Sequence, residues 1–296
     1  MGAMDVPPPP TLVQEGASLV EEYAAGQFFE GPTWDHRTGS LYFTMISSDH
    51  QQILRLEERG RAVVWMKETE EIRGMIMSVR GNLLGAQAKG HRIVSYGIGE
   101  AGPVNVRTLV FDPTFHQPND LCQTPRGDIY FTDPDFKDRK TSAVYHLALS
   151  GHVAKAITDM AVPNGIAAAP NGRTLYVSDS HAKHWKAFSI NKDGLVGEGR
   201  IFFEFQTDNQ ADPDGLTVDE KGNVYMTGLG GVWVASAKGE LLGFIPIPEY
   251  CSNLVFGGKD GRTLYMTCSK KIYSLRMTVR GVGLGGINWP VFSGFE

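Results

Sequence analysis

Four polar residues occupy equivalent positions in a repeating pattern and could carry chemistry together: Glu30, Asn119, Asn164 and Asp214. Each stands 11 or 12 residues before a tyrosine that marks the repeat. Two carboxylates held close together repel unless one takes a proton or a cation lies between them. Carboxylate and amide oxygens without His or Cys suit calcium or magnesium better than zinc. The alternative is that these residues cap strands and bond neighbouring loops.

The repeat consists of a turn rich in Gly, Asp or Asn, followed at once by a short aromatic or apolar strand. Its six copies are marked by Tyr42, Leu84, Tyr130, Tyr176, Tyr225 and Tyr265, at intervals of 40 to 49 residues. Short all-β units of this length are typical of propeller blades. The sequence therefore predicts an all-β fold, a six-bladed β-propeller, whose innermost strand ends meet around a central channel. The remaining two positions of this ring are Arg73 and Asn253.

Composition and length favour one closed domain with small-molecule partners. The chain has 296 residues, 42% of them hydrophobic, a net charge of -5 and no run of Lys or Arg. Nucleic acid and anionic membrane surfaces are therefore poor partners, and no apolar run approaches the roughly 20 residues of a membrane span. We expect a tag scar and Pro-rich arm over residues 1–15, a single propeller domain over 16–280, and a tail over 281–296 packed on the propeller.

Three cysteines, Cys122, Cys251 and Cys268, leave an odd one out and form no CxxC pair. This count favours reduced or simply buried cysteines over a disulfide framework. We expect a cytoplasmic protein, with a native signal peptide removed from this sequence as the open alternative. The edges of a propeller are short, so we expect a monomer or a weak homo-oligomer.

Closure of the ring needs a strand from one terminus to complete the blade at the other. Residues 11–26 could supply it. The same region could instead make a helical turn or two over residues 18–25, with Ser18 as the N-cap and Glu21 three residues on. Loops over residues 136–142 and 207–211 are expected to roof the channel mouth.

Seven short motifs occur in order along the chain. They are EGPTWD from Glu30, QPND from Gln117, YFTDP from Tyr130, PNGIA from Pro163, YVSDS from Tyr176, DPDGL from Asp212 and SNLVFGG from Ser252. Together they resemble the gluconolactonase family, which includes senescence marker protein (regucalcin) and luciferin-regenerating enzyme. The resemblance covers essentially the whole chain.

The resemblance implies one catalytic divalent metal in the channel, with calcium as the first choice and magnesium, manganese or zinc as alternatives. It implies that Glu30, Asn164 and Asp214 bind the metal, with Asp214 also the catalytic base. It implies that Asn119 orients the substrate, and Asp120 could assist. A metal polarises an ester carbonyl and lowers the pKa of water, so the expected reaction opens a lactone to a hydroxy acid. The chain has no GxSxG motif for a serine nucleophile.

Two residues depart from the family pattern. Gln117 stands where sugar-lactone members usually carry Arg, and it keeps hydrogen bonding but loses the charge. Arg73 stands where a small or amide residue is usual; it could bind an anionic group on the substrate, or pair with Glu70 or Glu71 on its own loop. With Met45 and Met75 near the pocket, Gln117 predicts a substrate less polar than an aldonolactone.

Two other functions stay open. The same metal and amide pair could polarise a phosphoryl oxygen and make the protein a phosphotriesterase-like hydrolase. Alternatively, the departures at Gln117 and Arg73 could mark a metal-binding propeller with a changed, non-hydrolytic reaction or a binding role. His116 could shuttle protons, although a structural bond is the simpler expectation. Asp133 and Asp179 recur at one blade position and are expected to fix loops rather than to catalyse.

Overall fold

The computed structural model describes residues 7–9, 11–47, 51–204, 212–228 and 230–282. These residues form six four-stranded antiparallel sheets arranged as the blades of a propeller. Apart from one 3-10 turn, Arg139–Thr141, the regular structure of this part of the chain is β-strand. The predicted all-β, six-bladed propeller is therefore confirmed.

Blades 1 to 3 follow one another along the chain, each with its first strand innermost. Blade 1 contains β2 (Phe28–Asp35), β3 (Ser40–Ile46), β4 (Gln51–Glu58) and β5 (Arg61–Lys67). Blade 2 contains β6 (Ile72–Met77), β7 (Leu83–Gln87), β8 (Arg92–Gly99) and β9 (Gly102–Phe111). Blade 3 contains β10 (Leu121–Gln123), β11 (Ile129–Asp133), β12 (Ala143–Leu147) and β13 (Val153–Ile157).

Blades 4 to 6 repeat this plan, and the last one takes its outer strand from the start of the chain. Blade 4 contains β14 (Pro163–Ala168), β15 (Thr174–Asp179), β16 (His184–Ile190) and β17 (Val196–Glu204). Blade 5 contains β18 (Leu216–Val218), β19 (Val224–Gly228), β20 (Gly231–Ala235) and β21 (Leu241–Pro246). Blade 6 contains β22 (Cys251–Gly257), β23 (Thr263–Cys268), β24 (Lys271–Arg276) and β1 (Val20–Ala24).

The repeat seen in the sequence is the hairpin between the first two strands of each blade. All six turn glycines, from Gly39 to Gly261, have a positive φ, which a side chain disfavours. The marker residues lie in the second strands, and Tyr42, Tyr130 and Tyr225 are fully buried between neighbouring sheets. Burial of one such aromatic side chain contributes about 1.5 to 3 kcal/mol. The evenly spaced aromatics therefore hold blade against blade.

The ring is closed by β1, which pairs with β24 so that Val20 lies opposite Ser274. The prediction that residues 11–26 supply the closing strand is confirmed. The alternative helical turn over residues 18–25 is wrong. Ser274 Oγ donates to the carboxylate of Glu22 at 2.6 Å, so tertiary pairing with β24 overrides the local capping signal.

The segments outside the blades are described only in part. Main-chain N–H of Phe244 donates to Pro7 O at 3.0 Å, and Leu12 is buried in the core of blades 5 and 6. At the other end, Gly281 bridges to Asp219. Residues 283–296, most of the tail that was expected to pack on the propeller, lie outside the described residues.

The expectation for the cysteines is wrong. Cys251 and Cys268 form a disulfide, and Cys122 is free and buried. The two bonded residues lie directly opposite each other on β22 and β23, with their Cα atoms 3.9 Å apart. An odd count along the sequence carries no information on cross-strand register, which is what brings these two sulfurs together.

None of the described residues belongs to a helix of the length and apolarity needed to cross a membrane.

Candidate active site at one end of the channel

The six ring positions lie at the beginning of the six innermost strands. Glu30, Arg73, Asn164 and Asn253 fall within β2, β6, β14 and β22, whereas Asn119 and Asp214 come just before β10 and β18. The innermost strands pass from this end of the channel to the other. Residues far apart in the sequence therefore share one mouth of the channel, as the phase of the repeat predicts.

Hydroxyl groups on the second strands fix the innermost strand of the next blade. Thr132 Oγ1 donates to Asn164 O at 2.7 Å, and Ser178 Oγ donates to Asp214 O at 2.8 Å. These bonds need close contact between blades. A Cβ on Gly165 would overlap the Asp214 carbonyl oxygen, so only glycine fits there. The positions of Asn164 and Asp214 are thus set from the blade behind each of them.

Glu30 lies among other acidic groups. Its pKa is raised well above the usual range, first by burial and then by the neighbouring Asp214 and, more weakly, Asp120. The main-chain N–H of Gly31 donates to Glu30 Oε2 at 2.9 Å, and Arg73 adds a weaker attraction; both lower this pKa in part. The acidic cluster therefore leaves Glu30 under strong pressure to bind a proton or a cation.

Asp214 has two polar partners at the mouth. Tyr250 donates its hydroxyl to Asp214 Oδ2 at 2.6 Å, and the side-chain amide of Asn164 lies near enough to lower the pKa of this carboxyl group in part. Burial nevertheless raises the pKa of Asp214 to about 7, and Asp120 contributes to the rise. Burial, followed by the nearby Asp214, raises the pKa of Tyr250, so the phenol stays a donor.

Asp120 lies deeper in the channel than its neighbour Asn119. Main-chain N–H of Leu121 donates to Asp120 Oδ1 at 2.9 Å, and Asn253 Nδ2 donates to Oδ2 at 3.3 Å. Burial raises the pKa of Asp120 to about 6 in spite of these bonds. Behind Asp120 and Asn253, a cavity of about 490 Å³ opens toward the other end of the channel. Asp120 therefore lies between the other acidic groups of the mouth and this cavity.

The other three predicted substrate contacts are held by groups in or next to blades 2 and 3. Asn119 accepts from Gly74 N at 2.7 Å through its main-chain oxygen. Gln117 donates its main-chain N–H to Asp133 Oδ1 at 2.7 Å. Arg73 binds Glu71 Oε1 through Nε at 3.1 Å and Nη2 at 2.5 Å, so the predicted pairing within its own loop is confirmed.

Asp133 and Asp179, which recur at the end of the second strand, fix loops as predicted. Asp133 accepts from the main-chain N–H groups of His116 and Gln117, and Asp179 accepts from four such groups around the mouth. His116 has its Nδ1 3.7 Å from Asp135 Oδ2. Asp133 and Asp179 thereby shape the loops next to Gln117 and Asn164.

Within the described ranges, no group of three or more His, Cys, Asp or Glu side chains is placed to hold a metal ion. The channel mouth instead offers a mixed set, two carboxylates and one amide, from Glu30, Asp214 and Asn164.

The sequence and fold match one known family over most of the chain. Residues 28–270 match the family described as SMP-30/Gluconolactonase/LRE-like region. The chain belongs to this family. The resemblance inferred from the seven motifs is therefore confirmed.

Named members of the SMP-30/gluconolactonase family are similar along much of the chain. A gluconolactonase of Zymomonas mobilis is 29% identical over 187 residues, which are 56% of this chain and 52% of that protein. The chain therefore spans about half the length of that relative. A pentonolactonase of Haloferax volcanii is 26% identical over 244 residues, 80% of each chain. The structure of a Xanthomonas campestris gluconolactonase superposes with a TM-score of 0.78 and 25% identity, over 94% of this chain and 99% of that one.

Sequence reasoning missed two residues of this site. Tyr250 lies in the loop before β22, the first strand of blade 6, and does not occupy a repeated position of the six copies. Nothing in the sequence therefore indicated its contact with Asp214. Ser180 follows Asp179 in the YVSDS motif; it accepts from Asn164 Nδ2 at 3.1 Å and donates to Pro213 O at 2.6 Å. Its place in a family motif could have pointed to it.

Proposed function

We propose that this protein is a metal-dependent hydrolase that opens a lactone to a hydroxy acid. The observation that carries the proposal is the acidic channel mouth, where Glu30 and Asp214 lie at the same end of two innermost strands and Asp214 adds to the rise that burial causes in the pKa of Glu30. Membership in a family with gluconolactonase and pentonolactonase relatives supports the reaction class. The proposed metal ligands are Glu30, Asn164 and Asp214.

The donor set fits a hard divalent cation. Glu30 and Asp214 supply carboxylate oxygens and Asn164 an amide oxygen, which calcium and magnesium prefer over nitrogen and sulfur ligands. The nearby Arg73 is engaged with Glu71, so it does not neutralise the two carboxylates by contact. A cation between them would relieve their repulsion and restore the charged forms. Calcium is our first choice because its coordination tolerates irregular geometry.

When bound, the metal would polarise the lactone carbonyl and favour ionisation of water. Asp214 is the proposed base: it takes a proton from the attacking water while the water oxygen bonds to the carbonyl carbon. The ring C–O bond then breaks, and Asp214 returns the proton to the departing oxygen, which becomes the hydroxyl of the product. A base works best with a pKa near the working pH. Asn164 and Tyr250 would keep the carboxylate of Asp214 oriented for this transfer.

We propose a substrate less polar than an aldonolactone. Gln117 supplies no charge to grip sugar hydroxyls, and Asn119, Gln117 and Asp120 remain the proposed polar contacts. The mouth also offers apolar surface: Phe136 is 42% exposed, and its ring centroid lies 6.0 Å from the guanidinium carbon of Arg73. An alkyl or aryl substituent on the lactone would cover such surface.

The test is acid release from sugar, aliphatic and aromatic lactones, followed with a pH indicator. Protein stripped with EDTA is compared with protein to which calcium, magnesium, manganese or zinc is returned. We expect turnover of aliphatic or aromatic lactones that disappears on stripping and returns with calcium. Asp214→Asn should lose this turnover. Asp212→Asn is its matched control, because Asp212 lies on the same loop but is exposed and pairs with Lys183.

Three outcomes would contradict the proposal. Full activity after stripping with EDTA would show that the reaction does not depend on a metal. Release of phenol from a phosphotriester, without acid from any lactone, would favour the phosphotriesterase-like reaction. Tight calcium binding without turnover of either class would favour a binding role or a changed reaction.

A further inference from the structure

Tyr250 links the sixth blade to the proposed base in the fifth. It directly precedes β22, and its hydroxyl donates to Asp214 Oδ2 at 2.6 Å across the boundary between two blades. The residue is 39% exposed, so the phenol reaches from the rim of the mouth down to a carboxyl group that is only 7% exposed. Among the described residues, Tyr250 supplies the one hydroxyl that donates to the side-chain carboxylate of Asp214.

The main chain of Tyr250 is held next to the β22–β23 hairpin that follows it. The next residue, Cys251, begins β22 and is disulfide-bonded to Cys268, the last residue of β23. Ser269 Oγ donates to Tyr250 O at 3.3 Å. A cross-link and a hydrogen bond thus hold the rim residue from which the phenol extends. The position of the hydroxyl is built into blade 6 and does not depend on Asp214 alone.

The bond selects one of the two carboxylate oxygens of Asp214. Oδ2 is engaged by the phenol, which leaves Oδ1 for the proposed cation or for water. A donor to the ionised carboxylate also opposes the effect of burial, because hydrogen bonds to a charged form favour that form. Loss of a group that orients a metal ligand in this manner typically costs about 10- to 100-fold in metal affinity or activity.

We propose that Tyr250 is a positioning residue for Asp214, a role that rests on the function proposed above. It touches neither the cation nor the reacting atoms; it acts by holding the Asp214 carboxylate in one orientation. The test therefore separates the hydroxyl from the ring with Tyr250→Phe, which keeps the aromatic surface at the rim.

Tyr273→Phe is the matched control. Tyr273, in the same blade, also donates its hydroxyl to a carboxylate, Glu249 Oε2, at 2.7 Å. The acceptor, Glu249, directly precedes Tyr250 in the sequence. That bond has no part in the proposed machinery. Both variants lose one phenol–carboxylate bond near the rim, so a general loss of rim order would appear in both.

Three quantities are measured for wild type and both variants: the calcium dissociation constant of EDTA-stripped protein by calorimetry, and kcat and KM on a responsive lactone. For Tyr250→Phe we expect kcat to fall roughly ten- to hundredfold with KM nearly unchanged, and the calcium dissociation constant to rise by about three- to tenfold. Tyr273→Phe should match wild type in all three. A melting curve for each variant confirms that the propeller is folded.

Other results would overturn the inference. Wild-type values of kcat and calcium affinity in Tyr250→Phe would show that Tyr250 does not position Asp214, and the proposed function would still stand. An equal loss in Tyr273→Phe would show a nonspecific rim effect. If wild type opens no lactone but Tyr250→Phe still weakens calcium binding, the proposed reaction fails and the positioning role stands. Absence of both calcium binding and turnover in wild type would end both.

Discussion

Asp179, at the end of the second strand of blade 4, and Asp214, at the channel mouth, are both almost fully buried, but they differ in their partners. Asp179 accepts from the main-chain N–H groups of Ala161, Val162, His181 and Ala182. Asp214 has one phenol and one amide as partners and lies near other carboxyl groups. Main-chain donors make a buried carboxylate an anchor for loops. Burial raises the pKa of Asp214 and the nearby Asp120 adds to the rise, and a raised carboxyl pKa is typical of functional sites.

The sharpest test of this contrast replaces the channel carboxylates. Glu30→Gln and Asp214→Asn should each reduce kcat/KM by about 1,000-fold or more. Each should also weaken calcium binding, because each removes a proposed charged ligand. Melting temperatures should stay at or above the wild-type value, since each change removes a buried, mutually repelling charge. Full activity in either variant, measured beside Asp212→Asn, would place the chemistry elsewhere.

The opposite result is expected at the loop anchor. Asp179→Ala leaves four buried N–H groups without their acceptor and should lower the free energy of unfolding by about 3 kcal/mol. Urea unfolding measures this loss, and activity per folded molecule should change far less than in Asp214→Asn. Asp159→Ala, in the same blade, removes an exposed carboxylate paired with Lys186 and should cost no more than about 1 kcal/mol. Equal losses in the two variants would contradict the anchor role.

A smaller effect is expected at Arg73, whose guanidinium is paired with Glu71. If that pairing is its main role, Arg73→Ala should lower kcat/KM by about threefold, equally for acidic and neutral lactones. A selective loss on acidic lactones would instead support the anion-binding hypothesis, which stays a prediction. The ratio of kcat/KM between the two substrate classes is the deciding measurement.

The smallest effect is expected at Cys122, which is buried between blades 3 and 4. Cys122→Ser should leave activity per folded molecule within about twofold, with a stability loss of about 1 to 2 kcal/mol from burying a hydroxyl. Burial also raises the pKa of this thiol, which makes it a poor nucleophile. Strong inactivation with the fold intact would reveal a thiol role.

The sequence predicted those features that depend on phase along the chain. Tyr42 and its five equivalents located the second strands, and counting back from them located Glu30 and Asp214 at the channel mouth. Features that depend on contacts between blades were not predictable in this way. Tyr250 reaches Asp214 from a loop of unphased length, and Cys251 meets Cys268 through strand register. The side-chain direction of Arg73, toward Glu71, likewise depends on its own loop.

The pairing of Val20 with Ser274 has a consequence for how the protein is made. The strand that closes the ring leaves the ribosome before the other strands of the propeller, and its partner leaves after them. Early blades can form while synthesis continues, but the edge of β1 stays open until blade 6 has been translated. Contacts of such long sequence separation also form slowly. Closure of the ring is therefore expected to be a late step, and nascent chains that end before β24 should be more sensitive to protease than the finished propeller.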